Sequence, residues 1–167
     1  ELWAVHGGGM YHAQKYLVMA PAMPARLHWF KWEAYSTLLS GLFLLGIVYY
    51  AHAEAYLVEA GVTPLSPAAA IATSVAFLAS GWLVYDALCR SPLGRNDRAL
   101  GIVLAILCAI AACALCALFP GRAAFLHFGA MLGVIMVLNV FVVIIPGQRK
   151  MVAALGAGTP PDPLHGL

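Results

Sequence analysis

The sequence predicts an all-α protein of the membrane: a multi-pass transmembrane helical bundle of four spans with both termini cytoplasmic. Three observations carry that expectation. Only 10% of the 167 residues are Asp, Glu, Lys or Arg, while 63% are hydrophobic; soluble domains carry about 25% and 45–50%. Mean hydropathy is +0.87. A soluble domain of about 150 residues leaves roughly 30% of its unfolded-chain surface in water, so a chain this apolar must turn much of itself to lipid. The second observation is that apolar runs recur at bilayer length. The third is that the basic residues gather on alternate connections.

In chain order, residues 1–33 read as a cytoplasmic or interfacial loop segment, residues 34–145 as the four-helix bundle, and 146–167 as a cytoplasmic tail. The spans are about 34–57, 67–88, 99–119 and 123–145, each long enough for a hydrocarbon core about 30 Å thick. The first carries STLLSGLFLLGIVYYAHAEAYL. The second opens on Pro67, tolerated in a first helical turn. The third and fourth are joined by Pro120-Gly121-Arg122, a tight helical hairpin. Pro146-Gly147 is expected to stop the fourth.

Orientation follows from the positive-inside rule. Lys15, Arg26 and Lys31 precede the first span, Arg90, Arg95 and Arg98 separate the second and third, and Arg149 and Lys150 follow the fourth. The other face receives Arg122 with Glu54 and Glu59. Trp29, Phe30, Trp32, Tyr35, Trp82 and Tyr85 form an expected inner aromatic belt; Tyr49, Tyr50 and Tyr56 form an outer one. A net charge of +2 argues against a nucleic-acid partner. Small residues at four-residue spacing (Ser36/Ser40, Ala72/Ala76/Ser80, Ala105/Ala109/Cys113, Gly129/Gly133) predict close helix approach.

Cysteine chemistry is not expected. Cys108, Cys113 and Cys116 share one apolar helix with different bearings, and no His follows Cys116, so the covalent c-type haem signature is absent. The four cysteines, Cys89 included, read as small core residues.

Ionisable groups within spans are functional candidates by default. His52 and His127 fall at similar depth near the outer leaflet on antiparallel helices, which suits bis-histidine ligation of haem b. The structural alternative is that each side chain reaches the interface, or bonds to a carbonyl or to Ser across the bundle. Asp86 and Arg90 have the i,i+4 spacing of an ion pair. Asn139 is expected to bond to a neighbouring helix. Metal ligation is not expected: His6 and His12 would need a third ligand, and His28 is unconvincingly spaced.

Four stretches, ELWAVHGGGMYHAQKYLV, LHWFKWEAYSTLLSG, GWLVYDALCRSPLG and HFGAMLGVIMVLNVFVVIIPGQRKMVAALGAG, together resemble the membrane domain of bacterial membrane-bound urate hydroxylases, the urate oxidase N-terminal domain. The likeness touches nearly the whole chain, and WFKWEAY and IIPGQRKMVAAL are specific strings. It implies a multi-pass protein of the bacterial inner membrane in purine catabolism. Such an oxidoreductase takes urate toward 5-hydroxyisourate and passes electrons to a c-type cytochrome. Family members carry a further helix ahead of ELW and later helices with a CxxCH domain. Their lack here makes the chain either a fragment or a shortened relative. The catalytic residues are unknown and the chain alone is expected to be inactive. Any c-type haem would lie in a separate or missing domain.

A planar anionic purine calls for cations and N–H donors plus an aromatic surface. Arg90, Arg149, Trp32 and Gly8 are the substrate-binding candidates, with Gln148 and Trp29 nearby in sequence. The partners implied are the lipid bilayer, other membrane subunits or the missing parts of the polypeptide, and cytochrome c. The alternative function is a non-catalytic subunit derived from the family and packed within a larger respiratory or photosynthetic membrane complex. A transporter would need broken helices or inverted repeats, and no convincing internal repeat is present. His6-Gly7-Gly8-Gly9 resembles the oxyanion loop of lipases, yet no GxSxG accompanies it; it reads as a turn or close-approach loop.

Overall fold

The computed structural model describes residues 2–6, 8–13, 31–59, 61 and 65–159. They belong to two units, each taken by itself: Phe30–Ile145, and Glu1–Trp29 with Pro146–Leu167.

The smaller unit holds an antiparallel hairpin that the composition did not lead us to expect. Strands β1 (Leu2–His6) and β2 (Gly9–Ala13) pair in the register Leu2↔Ala13, Trp3↔His12, Val5↔Met10 and His6↔Gly9. Gly8 therefore lies in the hairpin connection, and Gly9 opens β2. Gly8 has φ +78°, a conformation that costs a residue with a Cβ far more than glycine.

Four helices long and apolar enough to cross a membrane are found among the described residues, at Lys31–Tyr50, Pro67–Arg90, Asp97–Leu118 and from Gly121 onward. Helix α1 (Lys31–Leu45) widens into a π-helical turn at Gly46–Tyr50, closed by Ala51 N–H donating to the Gly46 carbonyl at 2.8 Å. Its hydroxyls bond to their own backbone: Ser36 and Thr37 both donate to the Glu33 carbonyl, at 3.0 and 2.7 Å. This satisfies them where water is absent. His52, at φ −123° and ψ 42°, breaks the helix, and the short α2 (Ala53–Tyr56) follows. The first long helix thus ends before His52, which stands in the break rather than inside a span.

Helix α3 (Pro67–Arg90) is capped by Ser66, whose Oγ accepts from Ala69 N–H at 3.3 Å. A 3₁₀ turn (Pro92–Arg95) leads to α4 (Asp97–Leu118), capped by Asn96 Oδ1 accepting from Ala99 N–H at 3.1 Å. In that turn a Cβ on Gly94 would collide with the Cys89 carbonyl oxygen. Helix α5 (Gly121–Asn139) starts directly after Phe119-Pro120 and widens into a second π-helical turn at Val140–Ile144. Pro146 does not stop the chain's helix: α6 (Ile145–Gly156) carries it in its first turn, where a missing N–H is least damaging.

The core occupies one end of the four-helix unit, where α1 and α4 finish and α3 and α5 begin. Its residues step by four along each element: Leu45, Tyr49, Ala53 and Leu57; Ala70, Ser74 and Leu78; Leu115 and Phe119; Ala123, His127 and Met131. The expected small-residue stripes lie elsewhere. Ser36, Ser40, Ala72, Ala76, Ser80, Ala105, Ala109, Cys113 and Gly129 are all exposed, and Gly133 is half-buried. Close approach is instead made at Gly81, where a Cβ would lie 2.5 Å from Met131 Cγ.

Candidate functional site

The buried face of α5 places His127 at the centre of the core, 1% exposed. Its Nδ1 lies 2.7 Å from the Ala123 carbonyl oxygen. That oxygen can only accept, so Nδ1 carries the hydrogen and the neutral ring leaves a lone pair on Nε2. Nε2 is buried and has no hydrogen-bond partner among the described residues. Phe119 stacks on the imidazole with centroids 5.3 Å apart and planes 7° from parallel. Tyr49 meets it edge-on at 5.9 Å.

The cluster extends from Tyr49 to the Tyr56 ring at 5.6 Å. Tyr56 contacts both the Arg122 guanidinium, 5.6 Å from the ring centroid, and the His52 ring at 6.5 Å. Tyr50 Oη and Ser74 Oγ share a hydrogen bond of 2.7 Å across α1 and α3. The tyrosines therefore do not form a simple outer belt. Tyr49 turns inward to seal His127, Tyr50 is half-buried on Ser74, and Tyr56 closes the rim.

His52 differs from His127. It is exposed, and its Nδ1 lies 3.0 Å from the Ile47 carbonyl oxygen. Contacts link the two histidines through Tyr56 and Tyr49. As iron ligands, both rings would offer Nε2, since Nδ1 of each faces a backbone carbonyl. The space does not match in this conformation, because Nε2 of His127 is enclosed by protein and a metal–imidazole bond is only about 2 Å long.

Two grooves cut the four-helix unit. The larger, 620 Å³, lies between α1 and α5, with Thr37, Gly41, Leu45, Tyr49, Gly129 and Gly133 among its walls. The smaller, 220 Å³, lies among α3, α4 and α5 around Gly81 and Met131. Neither is lined by His127 or His52.

The substrate candidates are dispersed. At the opposite end of the bundle Arg90 Nε donates to Asp86 Oδ2 at 2.7 Å, the ion pair that the spacing suggested. Trp32 is 68% exposed; Lys31 Nζ sits 5.2 Å over its ring, and Tyr35 packs edge-on at 5.5 Å. Tyr35 in turn meets Phe141 at 4.4 Å. Arg149 and Gln148 are exposed on α6, and Gly8 is the hairpin turn, both in the smaller unit. Trp29 and His28 lie outside the described residues. His6 and His12 are not cross-strand partners, since His12 faces Trp3 in the register.

Sequence reasoning missed Phe119 and Tyr49 as the rings that meet His127, and Ser74 as the partner of Tyr50. The signal was present as the four-residue recurrences Leu45-Tyr49-Ala53-Leu57 and Ala70-Ser74-Leu78.

These features define a class: a multi-pass helical membrane protein with a closed histidine–aromatic cluster at one end of its bundle. The chain belongs to the urate oxidase N-terminal family, whose model matches residues 1–167. Comparison with curated proteins and with solved structures returns no match.

Proposed function

We propose that the chain is the membrane domain of a urate-oxidising system of the bacterial inner membrane. It would act with a c-type cytochrome carried on another domain or protein. The observation behind this reading is the match of all 167 residues to the urate oxidase N-terminal family. The overall change is urate plus water to 5-hydroxyisourate, two protons and two electrons; the electrons leave to the cytochrome. The distribution of basic residues supports cytoplasmic termini. Urate then meets the end of the bundle bearing Arg90 and Trp32, where a guanidinium and an indole suit a planar anion. Arg149 and Gly8 in the smaller unit are separate candidates for the same recognition.

The test is urate-dependent reduction of cytochrome c by membranes containing the full-length gene product. Loss of at least tenfold in turnover is expected for Arg90→Gln, the scale for deleting one charge-assisted contact. Membranes that reduce no cytochrome and consume no urate overturn the reading.

Haem b at His127 and His52 is the redox option carried by the residue chemistry, and it would supply an electron relay near the outer leaflet. It requires the protein around the buried Nε2 of His127 to open. A reduced-minus-oxidised spectrum of the purified full-length protein tests it: a b-type band lost in His127→Ala supports it, and a spectrum without such a band removes it.

A non-catalytic subunit of a larger respiratory or photosynthetic membrane complex is the second reading. Helix α4 favours it, since Leu115 is the one residue of that helix buried within the chain. Isolation in mild detergent with stoichiometric partner subunits and no urate turnover would select it.

A further inference from the structure

The larger groove is lined almost wholly by apolar residues, and a cation, Arg122, stands on α5 one turn outside its Phe125 end. On α1 it runs from Thr37 to Tyr49, and on α5 from Phe125 to Val137. Twelve residues of rise make it about 18 Å long on either wall. That is near the depth of one leaflet and well short of a spanning helix, which needs about 30 Å. Its volume of 620 Å³ falls within the range of ligand sites, about 300–1,000 Å³.

Gly41, Gly129 and Gly133 keep it open, because a Cβ at any of them would meet nothing within 4 Å. The Tyr49 end of the groove leads to the rim of the bundle. One turn beyond Phe125 and Leu126, on the same stripe of α5, is Arg122. Its guanidinium lies against Tyr56, which His52 also touches. Both Arg122 and His52 are exposed. Glu54 is exposed on the same short helix as Tyr56, yet Arg122 has no carboxylate within ion-pair distance among the described residues.

We propose that this groove holds an acyl chain of an anionic phospholipid, whose phosphate is bound at the rim by Arg122 with His52 beside it. A hydrocarbon chain answers the lining and the length, and the phosphate answers a guanidinium that has no carboxylate partner among the described residues and is the donor best shaped for it. A second copy of the chain would need a groove of spanning length. A zwitterionic lipid carries the same phosphate but sets a quaternary ammonium beside it, which the Arg122 charge disfavours.

The experiment uses the full-length protein purified in detergent, titrated with phosphatidylglycerol or phosphatidylcholine. It reads lipid retention by native mass spectrometry and thermal stability. The wild type is expected to retain one phosphatidylglycerol and to be stabilised by it over phosphatidylcholine. Arg122→Gln is expected to lose about fivefold of that preference, the scale for one basic residue at an anionic surface. Gly129→Leu with Gly133→Leu fills the groove, and Gly41→Leu fills it from the opposite wall. Each is expected to abolish retention while leaving the melting temperature in lipid-free detergent unchanged. Equal retention of both lipids, an unchanged preference in Arg122→Gln, or retained lipid in a folded groove-filled variant overturns the proposal. So does a wild-type dimer that the filled variants convert to a monomer.

Discussion

Helix α5 makes two seams of opposite character. Toward α3 it presents Met131, pressed so closely on Gly81 that a Cβ there would lie 2.5 Å from Met131 Cγ. Toward α1 it presents Gly129 and Gly133, which no side chain approaches within 4 Å of a Cβ position. The glycine pair has the spacing expected of a packing motif in membranes, whereas the single glycine opposite a methionine has no motif at all. A small residue therefore permits close approach without producing it. Whether the space closes depends on what faces it across the seam, and a flexible thioether fills a gap readily.

The comparison can be broken most directly at the closed seam. Gly81→Leu is expected to destabilise the bundle by about 1–3 kcal/mol, the usual cost of overpacking, seen as a lower melting temperature in detergent. An unchanged melting temperature would mean that the seam is loose. Met131→Ala in the Gly81→Leu background should recover part of that loss. A double-mutant cycle is expected to give a coupling of roughly 0.5–3 kcal/mol, whereas strict additivity would deny the contact. Ser74→Ala removes the partner of Tyr50 Oη and is expected to cost about 0.6 kcal/mol, the average for a hydrogen bond between membrane helices. Gly129→Leu, at the open seam, should change lipid-free stability by less than about 0.5 kcal/mol. A penalty as large as that of Gly81→Leu would erase the distinction between the seams.

The histidines teach a related lesson. Depth along a helix was legible from hydropathy, and it put His52 and His127 near the same end. Their surroundings were not legible. His127 is enclosed because Phe119, from the turn before α5, stacks on it, and Tyr49, from a helix some eighty positions earlier in the chain, closes its edge. His52 is exposed because the backbone leaves the helix one residue before it. A π-helical turn followed by a break shifts the bearing of every later side chain, and no periodicity computed on an ideal helix anticipates that.

The family likeness was readable from short strings such as WFKWEAY and IIPGQRKMVAAL, and the ion pair of Asp86 and Arg90 from spacing alone. The hairpin at Leu2–Ala13 was less visible. Its strands are short, and the three glycines between the histidines suit a catalytic loop, a metal loop or a turn equally well. Pairing Val5 with Met10 on either side of Gly8 is what resolves Gly8 as a turn residue.

The amino-acid sequence by itself determined the number of helices long and apolar enough to cross a membrane and the concentration of charge on alternate connections. Those properties depend on the transfer of each segment between water and lipid, which is nearly additive along the chain. The tertiary structure decided which glycines are occupied, which imidazole is sealed and which groove remains open beside Arg122. Those depend on the shape of the surface that each residue meets, and in lipid that shape replaces a hydrophobic driving force between helices.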